Sequence, residues 1–239
     1  MMFSEPLVEA RLVWRYKRFL ADVEFACGTL ATAHVANPGA MLGLMTPGSR
    51  VLLSRSTNPA RKLGWSWELV EAGPVDGSGP AQWIGVNTAR PNVLVAEALA
   101  AGLLAPFTGY GRIRREVPYG RASRVDFLLE NEGRPPCYLE VKNCHLLRTQ
   151  GRAEFPDCVA ARSAKHMDEL AAMTAAGFRA ALVYVVQMHA DSFAVAADFD
   201  PAYAAASERA KAAGVEVYAY ACRVSAREVV IDRPIPVVG

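Results

Sequence analysis

Two short apolar runs carry charges that such segments ordinarily exclude. Val125-Asp126-Phe127-Leu128-Leu129 holds an aspartate, and Leu139-Glu140-Val141-Lys142 holds a glutamate and a lysine. Both runs read as β-strands, where side chains alternate faces, so Glu140 and Lys142 share one face and Leu139 and Val141 the other. The segment Glu130 to Pro136 between them is polar and rich in turn formers, as an antiparallel connection requires. If the strands pair, Asp126, Glu140 and Lys142 converge. That set can support metal-assisted phosphodiester hydrolysis: two hard oxygen ligands for a Mg2+-type ion, and an ammonium that positions a water or offsets transition-state charge. The plainer reading of the same residues is a Glu140–Lys142 ion pair on a solvated sheet face, and the spacing alone favours it.

Negative side chains that act on a polyanion need cations around them. Arg15-Tyr16-Lys17-Arg18-Phe19 interleaves three cations with two aromatics, a combination in which cations meet phosphates and rings stack on bases. Arg61-Lys62 follows the turn at Asn58-Pro59, and Arg112, Arg114, Arg115, Arg121 and Arg124 form a second basic zone just before Asp126. The alternative is a strand that buries its aromatics while its cations are merely solvated. The four histidines are scattered without metal-ligand spacing. Lys165-His166 opens a helical stretch with Glu169 one turn on, either a solvated ion pair or a contact to substrate. No serine-hydrolase elbow, phosphate-binding loop or dinucleotide fingerprint occurs.

These residues must be positioned by a chain of 239 residues, 52% hydrophobic, with a net charge of +2. No apolar run reaches the roughly 18 residues of a membrane span, and the start lacks a signal-peptide pattern, so a cytoplasmic protein is expected. Five scattered cysteines indicate reduced thiols rather than a disulfide framework or a zinc cluster. Up to about Val86, β-type runs (Leu12 to Phe25, Thr29 to Val35, Val51 to Ser54, Trp65 to Glu71) alternate with Gly, Pro and Asn turns, which predicts a small barrel or sandwich. The Gly/Pro stretch Ala72 to Ala81 reads as an exposed, flexible loop. After Asn87 the periodicity changes to a helix capped by Asn92, three strands (Ile113–Tyr119, Arg124–Leu129, Tyr138–Asn143), a helix Val159–Ala176, a strand Ala180–Gln187, a helix Pro201–Ala213 and a last strand Val215–Val224. That order predicts a mixed sheet with helices on its faces, and two separate cores: residues 1–86 and 87–239.

Several motifs agree in order with one family: Arg15 to Val23, Asn58 to Leu63, Trp67-Glu68-Leu69-Val70, Val86-Asn87-Thr88, Ser123 to Leu129, Glu140 to Asn143, Phe155-Pro156-Asp157 and Lys165-His166. The chain resembles the sugar fermentation stimulation protein family from about Phe3 to the last strand. It departs at His34 to Gly39, where the family's usual cysteine in that turn is Val35, and at Ser163, where glycine is usual. The resemblance implies an N-terminal barrel of the oligonucleotide-binding type that binds nucleic acid, followed by a C-terminal α/β domain of the PD-(D/E)XK nuclease type. It also implies DNA binding linked to regulation of sugar metabolism in bacteria. Carried over by position, the nuclease signature resembles Glu97 on the first helix, Asp126 on a strand, and Glu140 with Lys142 on the next. The expected site is therefore Glu97, Asp126, Glu140 and Lys142, with Mg2+ or Mn2+ on Asp126 and Glu140 and no nucleotide cofactor. DNA would be held by Arg15, Lys17, Arg18, Arg61, Lys62, Arg114, Arg115 and Arg124, with Lys165 and His166 as candidate substrate contacts. A regulator that binds DNA without turnover and a scaffold for a protein partner are the alternative readings.

Overall fold

In the computed structural model, which describes residues 1–58, 60–120 and 123–238, the β-rich first half closes into a barrel. Strand β1 (Val8–Tyr16) pairs antiparallel with β2 (Leu20–Phe25), β2 with β3 (Leu30–His34), β1 with β4 (Arg50–Arg55) and β4 with β5 (Trp65–Ala72). A short parallel contact of β3 with β5 closes the ring of five, and β6 (Gln82–Gly85) adds to the outer side of β5. Alternation buries Ala10, Leu12, Ala21, Val23, Val51, Leu53 and Trp67 inside. The predicted run Leu12 to Phe25 is in fact two strands. The chain reverses at Lys17 and Arg18, whose φ values of 46° and 63° lie in the left-handed region that non-glycine residues seldom adopt.

The second half begins with α1 (Pro91–Ala100) and continues through β7 (Arg112–Tyr119), β8 (Ser123–Glu130), β9 (Cys137–Cys144), β10 (Leu146–Thr149), β11 (Arg152–Phe155), α2 (Ala161–Ala175), β12 (Arg179–Val186), β13 (Ser192–Val195), α3 (Pro201–Ala212), β14 (Glu216–Val224), β15 (Val229–Ile235) and β16 (Val237–Val238). The main sheet runs β15-β14-β12-β9-β8-β7, parallel across β9, β12 and β14 and antiparallel at both edges. Central strand β12 is apolar on both faces, as a strand covered on both sides must be. Ala181, Val183 and Val185 pack toward α1, while Leu182, Tyr184 and Val186 pack toward α2 and α3. The strands β10, β11, β13 and β16 form a second sheet absent from the sequence reading, because segments of two to four residues are too short to show alternation.

One expectation is corrected. The halves do not have separate cores: one buried cluster runs from Trp67, Ile84 and Val86 into Cys144, Tyr184, Val186 and Met188. The stretch Ala72 to Ala81 is the expected exposed loop at the end of β5, with Val75 to Ser78, Pro80 and Ala81 exposed, and it is anchored to the second half: Val75 N–H donates to Leu147 O at 3.0 Å, Asp76 N–H to Arg148 O at 3.0 Å, and Gln150 N–H to Ser78 Oγ at 2.8 Å. Among the described residues no helix is long and apolar enough to cross a membrane.

Candidate metal centre

Strands β8 and β9 pair through Phe127–Leu139, Leu128–Tyr138 and Leu129–Cys137, and they part at Asp126. Past that point the Asp126 side chain replaces a strand partner: its Oδ2 accepts the Val141 N–H at 2.7 Å, and its Oδ1 accepts from Asn92 Nδ2 at 2.7 Å. Burial, and next the charge of Glu140, push the Asp126 carboxyl up to about 6. Glu140 is 3% exposed on the adjoining strand. Its Oε1 accepts from Lys142 Nζ at 2.7 Å and is hydrogen-bonded to His166 Nδ1 of α2, while its buried Oε2 has no hydrogen-bond partner. Burial alone would raise the Glu140 carboxyl, but Lys142 and His166 outweigh it and hold the group below its ordinary value. Lys142 Nζ lies 3.4 Å from His166 Nδ1. Asp126, Glu140 and Lys142 are thus brought together, with His166 bound to the carboxylate.

Glu97 is not brought to them. Its carboxylate is 2.6 Å from the Met1 amine with 52% of its side chain exposed, and the same amine donates to Val229 O on β15. That edge of the sheet is four strand positions from β8, roughly 19 Å at about 4.8 Å per strand. The residue that α1 presents to Asp126 is Asn92, which lies inside the helix rather than at its cap, where Arg90 stands. Asn92 and Glu97 are five residues apart, about 140° around a helix of 3.6 residues per turn, so one helix cannot aim both at the same spot. Glu169 departs from the solvated ion pair in the other direction. It is buried, only 9% exposed, and Lys165 Nζ approaches its Oε1 to 3.4 Å without making a hydrogen bond. The spacing of Lys165, His166 and Glu169 on one helix turn was the available signal for this, and it does not distinguish a buried face from a wet one.

The cations divide into two groups. Arg15 is half-buried, and its guanidinium donates to Arg18 O (2.8 Å), Asn37 O (2.9 Å), Gly39 O (3.1 Å) and Ala40 O (3.4 Å). It braces the β1–β2 turn and is not free for a phosphate, and burial lowers its pKa. Lys17 and Arg18 project from that turn beside Phe19 and Trp14, which are 45% and 61% exposed. Lys62 is exposed, and Arg61 is exposed while donating to Ser66 Oγ at 3.1 Å. On the outer strand β7, Arg114 lies 3.6 Å from Glu130 and Arg115 lies over the Phe127 ring at 5.5 Å. Arg124 donates to Glu116 O at 2.7 Å. Arg121 and Pro59 lie outside the described residues.

The barrel is tied to the second half by buried polar groups. Asp157, between β11 and α2, accepts the Met41 N–H at 2.7 Å and contacts His145 Nε2 at 3.1 Å. Burial would raise its carboxyl, but His145 and that N–H hold it down at about 2. Gly39 packs so closely that a Cβ there would lie 2.8 Å from Asp157 Oδ1. Glu68 on β5, 1% exposed, receives Ser54 Oγ at 2.6 Å, Asn87 Nδ2 at 2.9 Å and Arg90 Nε at 2.9 Å, which fixes the entry to α1.

Comparison with known proteins agrees with this architecture. Residues 13–86 match the model of the SfsA N-terminal OB domain, and residues 89–228 match that of the sugar fermentation stimulation protein RE domain. A sugar fermentation stimulation protein homolog of Methylobacterium nodulans is 63% identical over 238 residues, covering 100% of this chain and 99% of that one. Another, of Rhodospirillum centenum, is 57% identical over 235 residues, covering 98% and 97%. The solved structure of Pyrococcus furiosus SfsA in complex with Ca2+ superposes with a TM-score of 0.86 at 24% identity, over 100% of this chain and 98% of that one. The chain belongs to the sugar fermentation stimulation protein family, with an oligonucleotide-binding-type barrel followed by an α/β domain built on a mixed sheet.

Proposed function

We propose that this protein binds DNA and hydrolyses phosphodiester bonds at a divalent-cation site held by Asp126 and Glu140. One observation carries the reading: two carboxylates and a lysine meet in a buried notch, and Glu140 Oε2 there is without a partner. Buried carboxylates that repel each other cost stability, and the Asp126 carboxyl is raised by burial first and by the Glu140 charge next. Hard oxygen donors of this type fit Mg2+ or Mn2+. That the Pyrococcus furiosus structure is a complex with Ca2+ supports a divalent ion on this fold.

A divalent cation supplies Lewis-acid polarisation of a phosphoryl oxygen and neutralises charge that builds in the transition state. The protein's own groups do the rest. Asp126 is held by the Val141 N–H and Asn92, and Glu140 by Lys142 and His166, so both carboxylates are fixed in orientation before substrate arrives. Lys142 offers ammonium protons that can turn from Glu140 to a phosphate oxygen or the attacking water. Lys17, Arg18, Arg61, Lys62, Arg114, Arg115 and Arg124 attract the backbone, and Trp14 and Phe19 present rings on which bases can stack. The second reading, a regulator of sugar-metabolism genes that binds without turnover, draws on one feature: Lys142 and His166 both occupy Glu140 Oε1. Incubating labelled DNA with the wild type and with Lys142→Met in Mn2+ separates the two. Cleavage by the wild type that Lys142→Met loses supports the enzyme; metal-dependent binding without cleavage by either supports the regulator.

A further inference from the structure

We infer that the third carboxylate of the cation site is Glu169 on α2, with the Tyr119 hydroxyl beside it, and that Glu97 on α1 takes no part. The inference rests on the divalent-cation reading above. Six buried side-chain polar atoms lack a hydrogen-bond partner among the described residues, and four of them lie on Glu140, Glu169 and Tyr119: Glu140 Oε2, Glu169 Oε1, Glu169 Oε2 and Tyr119 Oη. Buried polar atoms are almost always satisfied, and a group of unsatisfied ones marks where a ligand or ion completes the shell.

The placement is built by the fold. Tyr119 ends β7 and is 7% exposed, and its hydroxyl is raised far above its ordinary value by burial and by the charges of Glu140, Glu169 and Asp126. Among the described residues that hydroxyl has no hydrogen-bond partner. Gly120 follows with a φ of 57°, and a Cβ there would lie 3.0 Å from Glu169 Oε1 and 3.1 Å from its Cδ. Glu169 therefore lies against the end of β7, where a side chain at 120 would crowd it. His166, one turn earlier on the same face of α2, is bonded to Glu140. One helix turn thus presents two polar groups to the same notch, whereas Glu97 is tied to the Met1 amine on the far side of the sheet.

Among the described residues no three His, Cys, Asp or Glu side chains already stand in a ligating arrangement. Lys165 at 3.4 Å and the Glu140 partners Lys142 and His166 compete for these oxygens. A cation held here would compete with Lys165 for Glu169, and Glu140 would offer it the partnerless Oε2.

The test is Mn2+ titration of the full chain, read by thermal shift and by calorimetry, for the wild type, Glu169→Gln, Glu97→Gln and Tyr119→Phe. Glu169→Gln should weaken Mn2+ binding by at least about tenfold, and Tyr119→Phe by less, while Glu97→Gln binds as the wild type does. Wild-type affinity in Glu169→Gln, or an equal loss in Glu97→Gln, overturns the inference while leaving the cation site standing. No Mn2+ binding by the wild type overturns the reading it rests on. Should Glu169→Gln fail to fold, paramagnetic broadening in wild-type protein decides. With 13C-labelled glutamate, substoichiometric Mn2+ should broaden Glu140 and Glu169 before Glu97; broadening of Glu97 ahead of Glu169 contradicts the assignment.

Discussion

Asp126 Oδ2 accepts the backbone N–H of Val141 at 2.7 Å across the point where β8 leaves β9. A side chain does here what a strand neighbour does elsewhere. The peptide that follows Glu140 is thereby fixed relative to Asp126, and the two carboxylates cannot drift apart to relieve their repulsion. The consequence shows in the Asp126 carboxyl, pushed up to about 6 by burial and by Glu140.

Stability of the metal-free protein should follow from that value. The folded state holds the Asp126 proton more tightly than the unfolded chain, whose carboxyl has its ordinary value of 3.8. This group therefore stabilises fully below about pH 3.8 and loses that contribution as pH rises through about 6. Thermal melts from pH 4.5 to 8 should fall more steeply for the wild type than for Asp126→Asn. Mn2+ affinity should rise over the same window, because the proton and the cation compete for one carboxylate.

Arg15 and its neighbours should separate stability from DNA binding. Arg15→Met removes five donated hydrogen bonds to four carbonyls and should cost about 1–3 kcal/mol in chemical denaturation. Lys17→Gly and Arg18→Gly relieve left-handed backbone and should leave stability equal or slightly higher. Each should flatten the log–log salt dependence of DNA binding by about one unit. A salt slope unchanged in both glycine variants would move the DNA surface away from this turn.

Glu68→Ala should be among the most damaging single changes. It strands Arg90 and Asn87 in a buried interface, which for a broken buried ion pair costs about 3–5 kcal/mol. Because Glu68 fixes the start of α1, surviving Glu68→Gln protein should also lose Mn2+ affinity through Asn92 and Asp126. Urea melts and Mn2+ titrations of the same preparation check both.

The β-rich first half and the order of helices and most long strands in the second were legible because periods of two and 3.6 are strong over six or more residues; the edge strand β15 (Val229–Ile235) was missed because Asp232-Arg233-Pro234 breaks its alternation. The pairing of Asp126 with Glu140 and Lys142 was legible because charges inside apolar strands stand out. Glu97 was not correctly placed, since a family signature gives a residue's position on a helix but not the direction it faces once Met1 lies against it. Arg15 looked like its neighbours Lys17 and Arg18, and only the turn at 37–40 reveals that its guanidinium is engaged by backbone. Glu169 looked like a surface ion pair because its close neighbour Gly120, 49 residues earlier in sequence, is brought against it only by the fold.

The central claim is that Asp126 and Glu140 hold a divalent cation, and the most direct measurement is calorimetric titration of Mn2+ into the apo protein at pH 7.5. Saturable binding is expected in the wild type, lost in Asp126→Asn and in Glu140→Gln although both variants stay folded. No heat of binding to the wild type at millimolar Mn2+ would contradict it.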